Sequence, residues 1–88
     1  MPHFFYLARC RDNSLYCGSC VNLLEREEKH NSGKGAKYTR SRRPVKIVYF
    51  EEFKTLAEVR RREAQVKKLS KIKKERLAQG KRSAKSLY

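Results

Sequence analysis

Nowhere do the 88 residues hold the run of about 20 apolar residues that a membrane-crossing helix requires. The N-terminus also lacks the basic segment followed by an apolar stretch that marks a secretory leader, so a cytoplasmic protein is expected. Tryptophan is absent, and no phenylalanine follows Phe53, which leaves the basic C-terminal half without side chains to insert into a lipid surface. Cys10, Cys17 and Cys20 are too few and odd in number for a disulfide framework, so reduced thiols are expected. A chain this short has room for one modest core, which excludes a two-domain enzyme. Acidic side chains are scarce, with 9 Asp and Glu against 23 Lys and Arg for a formal net charge of +14. That excess goes beyond what solubility requires and points to a polyanionic partner, nucleic acid first. Residues 54–88 carry 13 basic and 3 acidic side chains against 10 and 6 in residues 1–53, so the C-terminal part is the main electrostatic footprint.

Phe4-Phe5-Tyr6-Leu7-Ala8 is an uninterrupted apolar run of strand-forming residues, and Leu15-Tyr16-Cys17 follows after a polar turn. The pair reads as a β-hairpin, and the lack of alternation in the first run predicts a strand buried on both faces. Asn22 is placed to cap a helix that begins near Leu23 and reaches His30, before Asn31, Gly33 and Gly35 stop it. A basic loop from Lys34 through Arg43 leads to Pro44 and a third strand, Val45 to Phe50. Thr55 and Glu58 have capping-box spacing, and no Gly or Pro appears again before Gly80, which predicts one long helix or two joined near Ser70. The domain is assigned to residues 1–79, with a basic, frayed tail at 80–88. There is no internal repeat.

Leu56, Val59 and Val66 form a stripe at helical period, and Glu63 falls within it. A carboxylate on the inward face of a basic helix has to be matched by a cation, which a divalent metal would supply. The ordinary alternative is an edge carboxylate paired with Arg60 or Lys67, three and four residues away. Arg26 and His30 share one face of the first helix, where they could reach the same phosphate or form an ordinary solvated surface. Tyr6 and Tyr16 stand in the hairpin as core fillers or as positioned proton-transfer groups. Gly18, beside Tyr16, permits close approach of a backbone or ligand.

Cys17 and Cys20 have the C-x-x-C spacing of a zinc site, yet a closed site needs four ligands and only His3 or His30 could complete one with Cys10. These thiols are read as small packing residues. Ser32-Gly33-Lys34-Gly35 lacks the Walker spacing and the strand-to-helix setting of a triphosphate site. With Lys34, Lys37, Arg40, Arg42 and Arg43 around it, the loop suits a clamp on a nucleic-acid backbone. The basic stretch Arg60–Arg76 does not continue the Leu heptads of a zipper.

Taken in order, Phe4-Phe5-Tyr6, Tyr16-Cys17-Gly18, Arg26 with His30, the loop Asn31 to Arg40, and Arg62-Glu63 with Lys67 resemble the GIY-YIG nuclease superfamily. The likeness is to its small stand-alone bacterial members and runs from about Phe4 to Leu77. Phe4 and Phe5 stand where the first motif has Gly and Ile, and Ser19 stands where some members carry Lys. The resemblance implies an α+β fold, a three-stranded antiparallel sheet in the order β-β-α-β-α-α with helices packed on it. It implies phosphodiester hydrolysis with one divalent ion, Mg²⁺ or Mn²⁺, on Glu63. Tyr16 would be the general base and Tyr6 its positioning group; Arg26 would neutralise phosphate charge and His30 would support proton transfer or hold the phosphate. Lys34, Lys37, Arg40, Arg42, Arg43 and Lys67 would hold nucleic acid, with DNA in repair or processing as the first substrate and a protein partner for targeting. A non-catalytic nucleic-acid-binding module that keeps the fold is the alternative.

Overall fold

In the computed structural model, which describes residues 2–80, strand β1 (His3–Arg9) lies between β2 (Leu15–Cys20) and β3 (Lys46–Phe53), antiparallel to both. Its apolar run accounts for that position, because Phe5, Tyr6, Leu7 and Ala8 are all fully buried. Alternation along the strand divides them between two cores. Phe5 and Leu7 join Cys17 and Tyr49 beneath Val59 and Val66 of helix α3 (Leu56–Lys67) and Ala78 of α4 (Lys71–Ala78). Tyr6 and Ala8 join Cys10, Val45 and Ile47 beneath Leu23 of α1 (Leu23–Asn31). Cys10 and Cys17 are therefore buried in different cores, and all three cysteines are free thiols.

A bulge in β3 makes this division possible. Ala8 lies opposite Ile47 while Leu7 lies opposite Tyr49, so Val48 is the extra residue. In a regular strand Ile47 and Tyr49 would face the same side. With the bulge, Ile47 packs under α1 and Tyr49 under α3.

Local signals set the helix starts. Asn22 accepts a hydrogen bond from the Glu25 N–H at 3.0 Å, Thr55 and Glu58 form a reciprocal capping box, and Ser70 accepts from the Lys73 N–H at 3.3 Å to open α4. The basic stretch is thus two helices joined at Ser70. Helix α1 also closes the outer edge of β3. The Asn31 amide donates to the Val45 carbonyl at 2.8 Å and accepts from its N–H at 2.6 Å, and Glu27 accepts from the Ile47 N–H at 2.7 Å.

Three expectations need correction. The segment between α1 and β3 holds a one-turn helix, α2 (Lys37–Arg40), so the element order is β-β-α-α-β-α-α. The third strand begins one residue later than expected, at Lys46, and continues to Phe53. Leu56 is 45% exposed and outside the core, because burial along α3 begins only at Val59. Residues 81–88 of the expected frayed tail lie outside the described residues. No helix among the described residues is long and apolar enough to cross a membrane.

Because Val59 is fully buried and Leu56 is not, Val59→Ala should cost about 2 kcal/mol of unfolding free energy in urea titrations. Leu56→Ala should stay within about 0.5 kcal/mol of the parent.

Candidate active site

Tyr6 on β1, His30 on α1 and Thr39 on α2 form one buried hydrogen-bonded chain. The Tyr6 hydroxyl and His30 Nε2 are 2.7 Å apart, and His30 Nδ1 and Thr39 Oγ1 are 2.9 Å apart. All three residues are at most 1% exposed. Burial holds His30 below the usual imidazole range, with the positive charges of Arg26 and Lys29 adding to the effect, so the ring is neutral. Burial likewise raises Tyr6 well above an ordinary phenol, and the neighbouring Tyr16 raises it further while Arg26 opposes the rise.

Two glycines make room for this pair. A Cβ on Gly18 of β2, directly across from Tyr6, would lie 2.5 Å from the Tyr6 hydroxyl oxygen. One on Gly35 would lie 2.9 Å from the His30 Cα and closer still to its ring. The close approach anticipated at Gly18 is thus to the protein's own phenol. The same demand at Gly35 was hidden behind its reading as a helix stop.

Tyr16 packs edge-on against His30 with ring centroids 5.4 Å apart, and lies 6.3 Å from the Tyr6 ring. Its outer side stacks with Tyr38 at 5.9 Å, and the Arg42 guanidinium covers the Tyr38 ring at 3.9 Å. Arg26 donates to the Ser19 carbonyl at 3.2 Å. It shares a groove with Tyr16, His30, Lys29 and Lys34. Four of the five residues picked from the sequence, Tyr6, Tyr16, Arg26 and His30, therefore come together between β2 and α1.

Glu63 approaches from α3, across the edge strand β2. It lines a groove with Ser19 and Lys67, and Lys67 in turn lines the adjoining groove that contains Tyr16 and Tyr38. The Glu63 carboxylate is partly exposed and pairs with the Lys67 ammonium at 2.8 Å, the i, i+4 pairing. It sits at the border of the apolar stripe, and its nearest cation is supplied by its own helix. The described residues contain no group of three or more His, Cys, Asp or Glu able to hold a metal. One carboxylate of hard oxygens at an open groove fits Mg²⁺, which keeps most of its water and is commonly held by one or two carboxylates together with substrate phosphate.

The basic loop divides in two. Arg42 is taken up by the scaffold: it pairs with Asp12 at 3.0 Å and donates to the Tyr38 carbonyl at 2.8 Å. Arg43 donates to the carbonyls of Arg40 and Asn31, at 3.0 and 3.4 Å. Lys34, Lys37 and Arg40 have exposed side chains without an ion pair among the described residues. Sequence reasoning missed two residues at the site. Thr39 carried no signal beyond its place in the loop, and Lys74, which borders the Tyr16 groove from α4, was one lysine among many.

Two measurements check this arrangement. Gly35→Ala should lower stability by about 1–3 kcal/mol in urea unfolding, since the added methyl meets backbone as well as ring. Stability should also fall as pH drops through 6.5, because the unfolded chain takes up a proton there and the folded His30 does not. That contribution is fully present above 6.5, and the slope should vanish in His30→Gln.

Residues 2–76 match the GIY-YIG catalytic domain. A UPF0213 protein of Listeria monocytogenes is 49% identical over 73 residues, which cover 83% of this chain and 81% of the relative. The UPF0213 protein YazA of Bacillus subtilis is 47% identical over 83 residues, 94% of this chain and 84% of its own. The solution NMR structure of a UPF0213 protein from Bacillus halodurans superposes with a TM-score of 0.60 at 44% identity, covering 93% of this chain and 87% of that one. With a domain match over most of its length and relatives this similar in sequence and fold, the chain belongs to the GIY-YIG family of nuclease domains.

Proposed function

We propose that the protein is a divalent-metal-dependent endonuclease that hydrolyses phosphodiester bonds of nucleic acid, DNA first, in repair or processing. The observation that carries this reading is the convergence of an imidazole, a phenol and a guanidinium, those of His30, Tyr16 and Arg26, on one basic groove, with the buried Tyr6 hydroxyl hydrogen-bonded behind them. Tyr16, at the groove surface, is the group placed to take a proton from an attacking water, and Tyr6 and His30 hold its ring from behind. Arg26 stands ready to offset charge on the phosphate, with Lys29 and Lys34 beside it. Glu63 would hold one Mg²⁺ or Mn²⁺, which when bound polarises the phosphate and stabilises the leaving oxygen. Lys34, Lys37, Arg40 and Lys67 supply charge for the flanking backbone, while Arg42 and Arg43 support the loop that presents it. A site this small leaves little room for sequence selection, which fits low intrinsic specificity or targeting by a protein partner.

The Glu63–Lys67 ion pair favours a second reading, a nucleic-acid-binding module whose carboxylate is neutralised internally. Binding alone does not separate the two, since both predict affinity that falls with salt. Cleavage does. With Mg²⁺ or Mn²⁺, Glu63→Ala and Arg26→Ala should fold and bind but lose at least about 10²-fold in single-turnover rate. Tyr16→Phe, which removes only a hydroxyl, should lose a comparable factor. Equal trace cleavage by the parent and Glu63→Ala across single-stranded, duplex and branched substrates would overturn the nuclease reading.

A further inference from the structure

We infer that Thr39 is a positioning residue that sets the direction of every hydrogen bond in the chain ending at Tyr6. The inference rests on the nuclease reading for its effect on rate, and on geometry alone for its effect on His30. A hydroxyl has one proton, and the Thr39 proton goes to the Ala36 carbonyl at 2.9 Å. Toward His30 Nδ1, also at 2.9 Å, Thr39 can then only accept, so Nδ1 carries the imidazole hydrogen. A neutral imidazole has a single N–H, which leaves Nε2 as the acceptor and makes the Tyr6 hydroxyl the donor across 2.7 Å. The Tyr6 hydrogen is thereby drawn inward. Its oxygen, buried with the rest of the ring, keeps one lone pair free, and Arg26 and Tyr16 are the neighbouring groups that act on it.

The charged and titratable groups facing His30 are Tyr6 from β1, Tyr16 from β2, Arg26 and Lys29 from its own helix, and Lys34 in the loop that follows. None of these is a carboxylate that could hold the Nδ1 hydrogen in place of Thr39. The one-turn helix carrying Thr39 is itself fixed, because the Arg42 N–H donates to the Thr39 carbonyl at 3.0 Å and the Arg42 side chain is tied to Asp12. This gives α2 a role that its length does not suggest: it delivers one oriented hydroxyl to a buried ring.

Loss of the hydroxyl reverses the chain. In Thr39→Val, which preserves shape, Nδ1 loses its acceptor, the hydrogen moves to Nε2, and the Tyr6 oxygen must accept on the side where it formerly donated. Nitrogen-15 NMR of the imidazole should show Nδ1 protonated in the wild-type protein and a shift toward the Nε2–H form in Thr39→Val. Single-turnover cleavage with Mg²⁺ should fall about tenfold or more with binding unchanged and an altered pH profile, while Thr39→Ser should restore both tautomer and rate. Wild-type His30 in the Nε2–H form would overturn the inference even if Thr39→Val does not fold. So would a Thr39→Val variant that cleaves at the parental rate. Failure of the wild-type protein to cleave any substrate would overturn the nuclease reading and the rate effect with it, and the imidazole spectrum would still decide the positioning of His30.

Discussion

A buried imidazole is tolerated only when both of its nitrogens have partners, and in this molecule that requirement joins segments distant in the chain. His30 needs a donor from β1 and an acceptor from α2, and the ring between them needs a residue without a side chain at position 35. Position 18 meets the matching demand from the other side, where the Tyr6 phenol reaches the backbone of β2. Sheet, helix and loop are thus held in a common register by a polar contact inside an otherwise apolar layer. The groove above it inherits that rigidity, since Tyr16 rests on the same ring.

The charge balance follows a related economy. Six of the nine acidic residues have structural duties: Asp12, Glu51, Glu63 and Glu75 pair with Arg42, Arg62, Lys67 and Arg9, Glu27 accepts from the β3 backbone, and Glu58 closes a helix cap. The Arg9–Glu75 pair, with its second contact at 2.7 Å, fastens α4 to the end of β1, and Arg62 grips both oxygens of Glu51 at 2.8 and 3.0 Å to fasten α3 to β3. Asp12, Glu27, Glu51 and Glu75 therefore act as clamps between segments, while Glu58 and Glu63 are used within α3, and together they leave a surplus of lysine and arginine facing outward for a polyanion. Pairs of this kind, at least a quarter exposed on the arginine side, add modestly to stability and more to the placement of the helices.

What could be read from the sequence was what depends on neighbours along the chain. The central strand, both capping residues of the longer helices and the break at Ser70 follow from runs and spacings a few residues long. Helix α2 escaped because four residues carry no apolar period, and its formation depends on Arg42 and Thr39 contacts made in three dimensions. Periodicity placed Leu56 beside Val59 and Val66 on the helix surface, but it cannot tell at which turn the packing against the rest of the protein begins. Charge raised a parallel difficulty: Lys34 and Arg42 look alike in a basic loop, and only the position of Asp12 on the hairpin turn separates an outward cation from an internal one. Of the site, the phenols, Arg26 and His30 could be read because the family resemblance gathers them. Thr39 and the steric part played by Gly35 could not, since each is defined only by its distance to the ring.

The tight fit at Gly35 and Gly18 has a consequence for how such a protein can change through descent. A larger residue at either position would collide with a ring that another part of the chain supplies, so replacing either glycine costs stability unless that ring shrinks or turns aside. Shrinking the imidazole in its turn strands the Thr39 and Tyr6 hydroxyls. The four positions 6, 18, 30 and 35 are thus coupled, so that a change at one raises the cost of the residue kept at another, whereas the exposed lysines around them carry no such constraint.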